Sequence, residues 1–139
     1  MFSRTTIHSI YSLCYLNQTG SGSTVSSAMV AEALGIPREQ TAKVLQRLNH
    51  AGLVRSVRGR RGGYVIERKL SDISLIEVLD ALNPRDDQER LGPRSCKRES
   101  IRFCNAHRGL QRLNERVRKA LAGESLEGLD VSVCIDTSE

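Results

Sequence analysis

The chain has no tryptophan, and only two phenylalanines and three tyrosines among its 139 residues. A core cannot be built around large rings here, so it must be aliphatic, made of Leu, Ile, Val and Ala, a composition that suits helices. Long hydrophobic runs are missing too. The apolar stretches stop far short of the roughly 20 residues a membrane span needs, and the N-terminus lacks the apolar block of a secretory signal. The expectation is a cytoplasmic protein without a membrane partner. Cysteine is scarce as well: Cys14, Cys96, Cys104 and Cys134 are too few and too scattered for the disulfide framework of a secreted mini-domain. Thiols kept reduced point to ligand or redox chemistry, or to none. No glycine-rich phosphate loop or acid pair is present, which leaves an enzyme only a cysteine nucleophile with His107 as base, a poor basis for catalysis. The length fits one domain, or a small domain with an appended dimerisation element.

What the chain does have is a concentrated positive charge. Its net charge is +5, and the stretch from Val54 to Lys69 holds six basic residues (Arg55, Arg58, Arg60, Arg61, Arg68 and Lys69) against the single acid Glu67. That local excess equals the excess of the whole chain, so the remainder is balanced and the basic segment has the character of a binding surface. The stretch Ala51 to Ile66, AGLVRSVRGRRGGYVI, sets two β-prone runs around a turn of arginine and glycine. It looks like the wing of a winged helix. Gly59, Gly62 and Gly63 are expected to supply backbone angles closed to other residues, and Arg58, Arg60 and Arg61 to place three permanent charges at the tip. The plainer alternative is a solvated hairpin.

The rest of the sequence surrounds that hairpin with helices. Ser3 to Leu16 reads as a first helix that brings Ile7, Ile10, Tyr11 and Cys14 to one side, with Leu13 as a further candidate. Asn17 to Ser23 reads as a flexible connection, and Ser27 to Leu34 as a short second helix. Gly35 is placed for a left-handed helix end and Pro37 for the first position of a third helix running to Ala51, stopped by Gly52. Two helices joined by a short glycine-containing turn form a helix-turn-helix, whose second helix normally lies in the major groove. Arg38, Glu39, Gln40 and Thr41 at its start are expected to reach base edges, since Arg grips guanine and Gln grips adenine in paired hydrogen bonds. Lys43 and Arg47 are expected on phosphates, and His50 is a helix-end charge or another phosphate contact. Ser56 joins Arg58, Arg60 and Arg61 as a contact from the wing.

Ser71 to Leu82 fits an amphipathic helix capped by Ser74, with Glu77 as its capping-box partner. Asn83 to Phe103 carries two prolines, one glycine and ten charges in 21 residues, and is expected to be an irregular, functional loop. From Asn105 to Gly123, Leu110, Leu113, Val117 and Leu121 recur at helical spacing and form a seam that wants a partner helix, and both docking on the chain's own first helix and pairing with a second subunit are expected. Glu124 to Glu139 reads as a tail with a small apolar set, frayed at its end. The expected fold is mainly α. It comprises a winged helix-turn-helix over residues 1–82, a sensor loop over 83–103, a dimerisation helix over 104–123 and a tail over 124–139.

Together the arginine hairpin, the helix-turn-helix around GIPREQTAKVLQRL, the DISLIEVLDAL helix, the cysteine-bearing loop, the long helix and SLEGL at Ser125 to Leu129 resemble the bacterial regulator family that includes IscR, NsrR and CymR. The resemblance implies a homodimeric winged-helix transcription regulator, a repressor by preference, that binds an inverted repeat in double-stranded DNA. In many members a loop before the dimerisation helix holds an iron–sulfur cluster, and in others it holds none. Cluster-binding members usually have three cysteines there, with a histidine just after the last or an acidic N-terminal residue of the other subunit as fourth ligand. This chain offers Cys96 and Cys104, with His107 three positions on and His8 at the place of the N-terminal ligand. A 2Fe-2S cluster held by Cys96 and Cys104, and completed by His107, by His8 from the second subunit, or by both, has the mixed thiolate and imidazole donor chemistry of Rieske-type centres. Arg94, Lys97, Arg98 and Arg102 nearby favour the thiolate. Three alternatives stand beside it: a reversible disulfide switch, zinc, or ordinary surface cysteines. An adaptor that does not bind DNA is the remaining functional rival. Cys14 reads as core, and Cys134 as a tail residue.

Overall fold

The computed structural model describes residues 2–20, 22–83 and 105–129. Residues 84–104, with Cys96 and Cys104 of the expected sensor loop, and residues 130–139, with Cys134, lie outside the described residues.

Helix α1 (Arg4–Gln18) starts where the Ser3 hydroxyl accepts the Thr6 N–H at 3.2 Å. Its buried face differs from the one apolar spacing suggests. Thr6, Ser9, Ser12, Leu13, Cys14 and Leu16 point inward, while Ile7 is exposed. The serines tolerate burial because Ser9 Oγ donates to the Thr5 carbonyl at 2.8 Å and Ser12 Oγ to that of His8 at 2.7 Å. A hydroxyl satisfied by its own helix packs as a small side chain.

Helix α2 (Ser27–Leu34) ends at Gly35, whose φ of +63° makes the left-handed turn into helix α3 (Arg38–His50). Pro37 stands just before α3 rather than at its first position. Strands β1 (Arg55–Val57) and β2 (Gly63–Val65) pair antiparallel with Ser56 opposite Tyr64. Val25 adds a bridge to the far side of β2, exchanging both backbone hydrogen bonds with Tyr64 at 3.0 and 2.8 Å. The segment before α2 is thus part of the sheet at that point and not only a connection.

Helix α4 (Leu75–Leu82) follows a single 3₁₀ turn at Leu70–Asp72 and carries the full Ser74–Glu77 capping box. Burial tends to raise the Glu77 carboxyl. Hydrogen bonds from Arg68 and from the Ser74 N–H outweigh that and hold it below its ordinary 4.5.

The long helix α5 (Asn105–Ala122) packs chiefly on α4, and Arg118 grips Asp80 with two nitrogens at 2.9 and 2.8 Å. Leu121 touches the core, but Leu110, Leu113 and Val117 remain exposed. After α5 the chain returns to the domain. Leu126 is fully buried, its N–H donates to the Ile73 carbonyl at 3.0 Å, and the Leu75 N–H donates to Glu124 at 2.9 Å. The start of the tail is therefore core. A single aliphatic cluster, with Leu13, Val30, Leu45, Leu48, Ile73, Val78 and Leu126 at its centre, holds these elements together.

Candidate nucleic-acid interface

Helix α3 is anchored through Thr41, Val44, Leu45 and Leu48, which are buried. That register turns Arg38, Glu39, Gln40, Lys43, Gln46, Arg47, Asn49 and His50 outward. Thr41 corrects the sequence reading. It is 1% exposed and its hydroxyl donates to the Pro37 carbonyl, so it faces the core and not a base edge. Gln46 is the complementary omission. Glu39, Lys43, Gln46 and His50 recur at spacings of four, three and four and form the stripe opposite the core. That periodicity was available in the sequence.

The helix start is open. No side chain caps it, so the amides of its first turn and the positive end of the helix dipole are left for an anion. Glu39 accepts from Lys43 at 2.7 Å, and that bond lowers the Glu39 carboxyl from its ordinary value. Both side chains are well exposed, so the pair is weak and the lysine can exchange it for a phosphate. Arg47 has a structural task as well. Its Nη1 donates to the Leu82 carbonyl at 3.2 Å, the last residue of α4, so it holds α3 to α4.

In the wing, the Gly62 N–H donates to the Gly59 carbonyl at 3.0 Å, which sets Arg60 and Arg61 at the centre of the turn. Of the three glycines, Gly59 alone has a left-handed φ, +124°. Gly62 and Gly63 are required for a different reason: a Cβ would meet the Val57 carbonyl oxygen at 2.6 Å and the Val25 carbonyl oxygen at 2.5 Å. The hairpin is wound too tightly, and crossed too closely by residue 25, for any side chain at those places.

The electrostatics are likewise sorted by structure. Arg55 pairs with Glu67 at 2.7 Å, and Arg68 with Glu77 at 2.8 Å and with the Asp72 carbonyl. Two of the six local cations are thereby answered. Arg58, Arg60 and Arg61 are exposed at the tip, and none makes an ion pair among the described residues. Thr24 Oγ1 donates to the Arg61 carbonyl at 2.7 Å and steadies the turn. Ser56 lies on the exposed side of β1.

The expected metal ligands are only partly within view. His8 is half-buried on α1, in a shallow cleft lined by Ile7, Tyr11, Leu34, Gly35 and Ile36. His107 lies in the first turn of α5. Among the described residues no group of three metal-ligating side chains comes together. Cys14 is buried, and burial pushes its thiol up to about 11, which agrees with its reading as core. No helix among the described residues is long and apolar enough to cross a membrane.

Known proteins share both sequence and architecture with this chain. IscR of Xenorhabdus nematophila is 34% identical over 106 residues, which covers 76% of this chain and 63% of that relative. The chain thus spans less than two thirds of that relative's length. The crystal structure of the oxidized form of CymR from Staphylococcus aureus superposes with a TM-score of 0.64 at 21% identity, over 94% of this chain and 96% of that one. The solved IscR of T. potens gives a TM-score of 0.64 at 21% identity, over 91% of this chain and 83% of that one. These two likenesses establish the winged-helix fold. The matching family is one of transcriptional regulators, so the enzyme alternative falls away. With the family profile, described as iron-dependent transcriptional regulator, matching residues 2–130, the chain belongs to the Rrf2 family.

Proposed function

We propose that two copies of the chain pair through α5 and bind an inverted-repeat operator, each placing α3 in a major groove and its arginine-tipped wing in the flanking minor groove. Residues 1–82 serve as the DNA-binding unit, 83–103 as the sensor and 104–123 as the pairing element. The observation that carries this reading is the exposure of Arg58, Arg60 and Arg61 at a tip built by close-packed glycines, beside a helix whose outward stripe is polar. Narrow minor grooves attract arginine most strongly. Leu110, Leu113 and Val117, exposed along one side of α5, supply an apolar seam for the second copy. Bases are read by Arg38, Glu39 and Gln40, with Gln46 as an addition. Lys43 and Ser56 contact the backbone beside the wing.

The experiment is fluorescence anisotropy against the chain's own upstream DNA across a salt series. Each dimer carries two copies of Arg60. Arg60→Ala therefore removes two cations, about 1.8 from the salt slope if both meet phosphate, or roughly a tenfold smaller loss of affinity between 50 and 200 mM salt. An unchanged affinity and slope would argue against the wing as a DNA element.

For sensing, the donor set of two thiols and two imidazoles fits a 2Fe-2S cluster. Cys96, Cys104 and His107 would hold it, with His8 contributed by the second copy. His8 sits in an open cleft on α1 and is available for this. When bound, such a group supplies a one-electron redox change and sensitivity to iron, oxygen or nitric oxide. Anaerobic purification followed by visible absorption and iron and sulfide analysis tests the assignment; a colourless, iron-free protein after reconstitution overturns it. A thiol switch between Cys96 and Cys104 is the second reading, favoured by the likeness to a regulator solved in an oxidized form. Mass spectrometry after peroxide treatment separates the two.

A further inference from the structure

We infer that Asn49 is a positioning residue: it ties the last turn of the recognition helix to the first strand of the wing and so sets where the arginine tip points. The inference rests on the reading above that the wing touches DNA. It begins with the hydrogen-bond pattern of the hairpin. Tyr64 exchanges both its N–H and its C=O with Val25. Its polar groups therefore face away from β1, and Ser56 opposite it belongs to a pair that makes no ladder hydrogen bond. The Ser56 N–H must then point out from the free edge of β1. There it donates to Asn49 Oδ1 at 3.0 Å.

The consequence is mechanical. Two strands of three residues each are too short to hold an orientation by themselves. One edge of the pair is fixed by Val25 and by the bond from Thr24 to the Arg61 carbonyl. The other edge has a side chain of α3 in place of a third strand. Gly52, with φ +76°, turns the chain between them, and its N–H donates to the Asn49 carbonyl at 3.0 Å. Asn49 thus holds the turn out of α3 through its backbone and the first strand of the wing through its side chain. An asparagine on the exposed surface of a helix end has no packing reason to be there; this bond gives it one. Losing it leaves the fold intact and frees the hairpin to pivot about β2.

The test is a coupling measurement on the full chain. Asn49→Ala is placed in the wild-type protein and in a variant whose three tip arginines are alanine, and operator affinity is measured by anisotropy. In the wild type the substitution should weaken binding about five- to tenfold and lower the salt slope. In the tip-less protein it should change affinity less than twofold, since there is no charge left to aim. Hydrogen exchange should show the Ser56 amide exposed by Asn49→Ala and protected in Asn49→Asp, which keeps the acceptor oxygen. Thermal unfolding of both should match wild type. Equal losses in both backgrounds would mean that Asn49 acts on DNA directly, and no loss in either that it aims nothing; both results overturn the inference. A tip-less protein that binds as tightly as wild type would instead refute the wing reading beneath it.

Discussion

Replacing Gly63 by alanine should unlock the wing from the domain. A Cβ at this position would lie 2.5 Å from the Val25 carbonyl oxygen, 2.6 Å from its carbon and 2.9 Å from the Ser26 nitrogen. All three are backbone atoms and cannot swing aside as a side-chain end could, so the strain must open the bridge between Val25 and Tyr64. That bridge is two hydrogen bonds of 3.0 and 2.8 Å. At about 0.5–1.5 kcal/mol each, their loss costs roughly 1–3 kcal/mol. Val25 is 2% exposed, and its partial release adds about 1 kcal/mol. With a urea slope of about 2 kcal/mol/M, a total of about 2–4 kcal/mol lowers the unfolding midpoint by roughly 1–2 M. Hydrogen exchange should speed up at the amides of Val25 and Tyr64 before any others. Gly109→Ala is the control. It lies within α5 with open space around a Cβ, and should raise stability by about 0.5–1 kcal/mol. An unmoved midpoint for Gly63→Ala, with both amides still protected, would refute the close-approach argument for this glycine.

Two further outcomes follow from the titratable groups. Glu77 has a carboxyl held below 4.5 in the folded chain, so the stability it contributes is full above its unfolded value and is lost as pH falls through the folded one. Glu77→Gln should therefore lower stability at neutral pH and flatten the acid limb of a urea-midpoint profile below about pH 4.5; parallel limbs for the two proteins would contradict this. Cys14, with its thiol raised to about 11 by burial, should resist alkylation at pH 8 in the native state and react only when urea opens the core. Native labelling of Cys14, located by peptide mass spectrometry, would show that α1 does not bury it.

What could be read in the sequence was what local chemistry decides. Gly35 ends one helix and permits the next, Ser74 and Glu77 cap a third, and alternation around an arginine turn makes a hairpin; each signal lies within a few residues of what it specifies. What could not be read depends on partners far along the chain. Val25 closes the wing sheet from 39 positions before Tyr64, and Leu126 enters the core beside Ile73. On α1 the apolar pattern pointed to a face containing Ile7, because hydroxyls that satisfy themselves, as in Ser9 and Ser12, count as polar in a sequence and as small apolar groups in a core. Gly62 and Gly63 were legible as glycines but not for their reason, which is crowding by backbone rather than dihedral freedom. Arg47 has the charge of a phosphate contact, and only the place of the Leu82 carbonyl shows its structural task. The tip arginines, by contrast, stand exposed at the turn where their sequence neighbourhood suggested.

Hydroxyl-radical footprinting of the chain on its own upstream DNA tests the central claim most directly. Two recognition helices and two wings presented by one dimer should protect two dyad-related segments about 10 base pairs or a small multiple apart, each extending into a flanking minor groove. The flanking protection should vanish when Arg58, Arg60 and Arg61 are replaced by alanine. A single unsymmetrical patch, or minor-groove protection that survives loss of those arginines, would contradict the account.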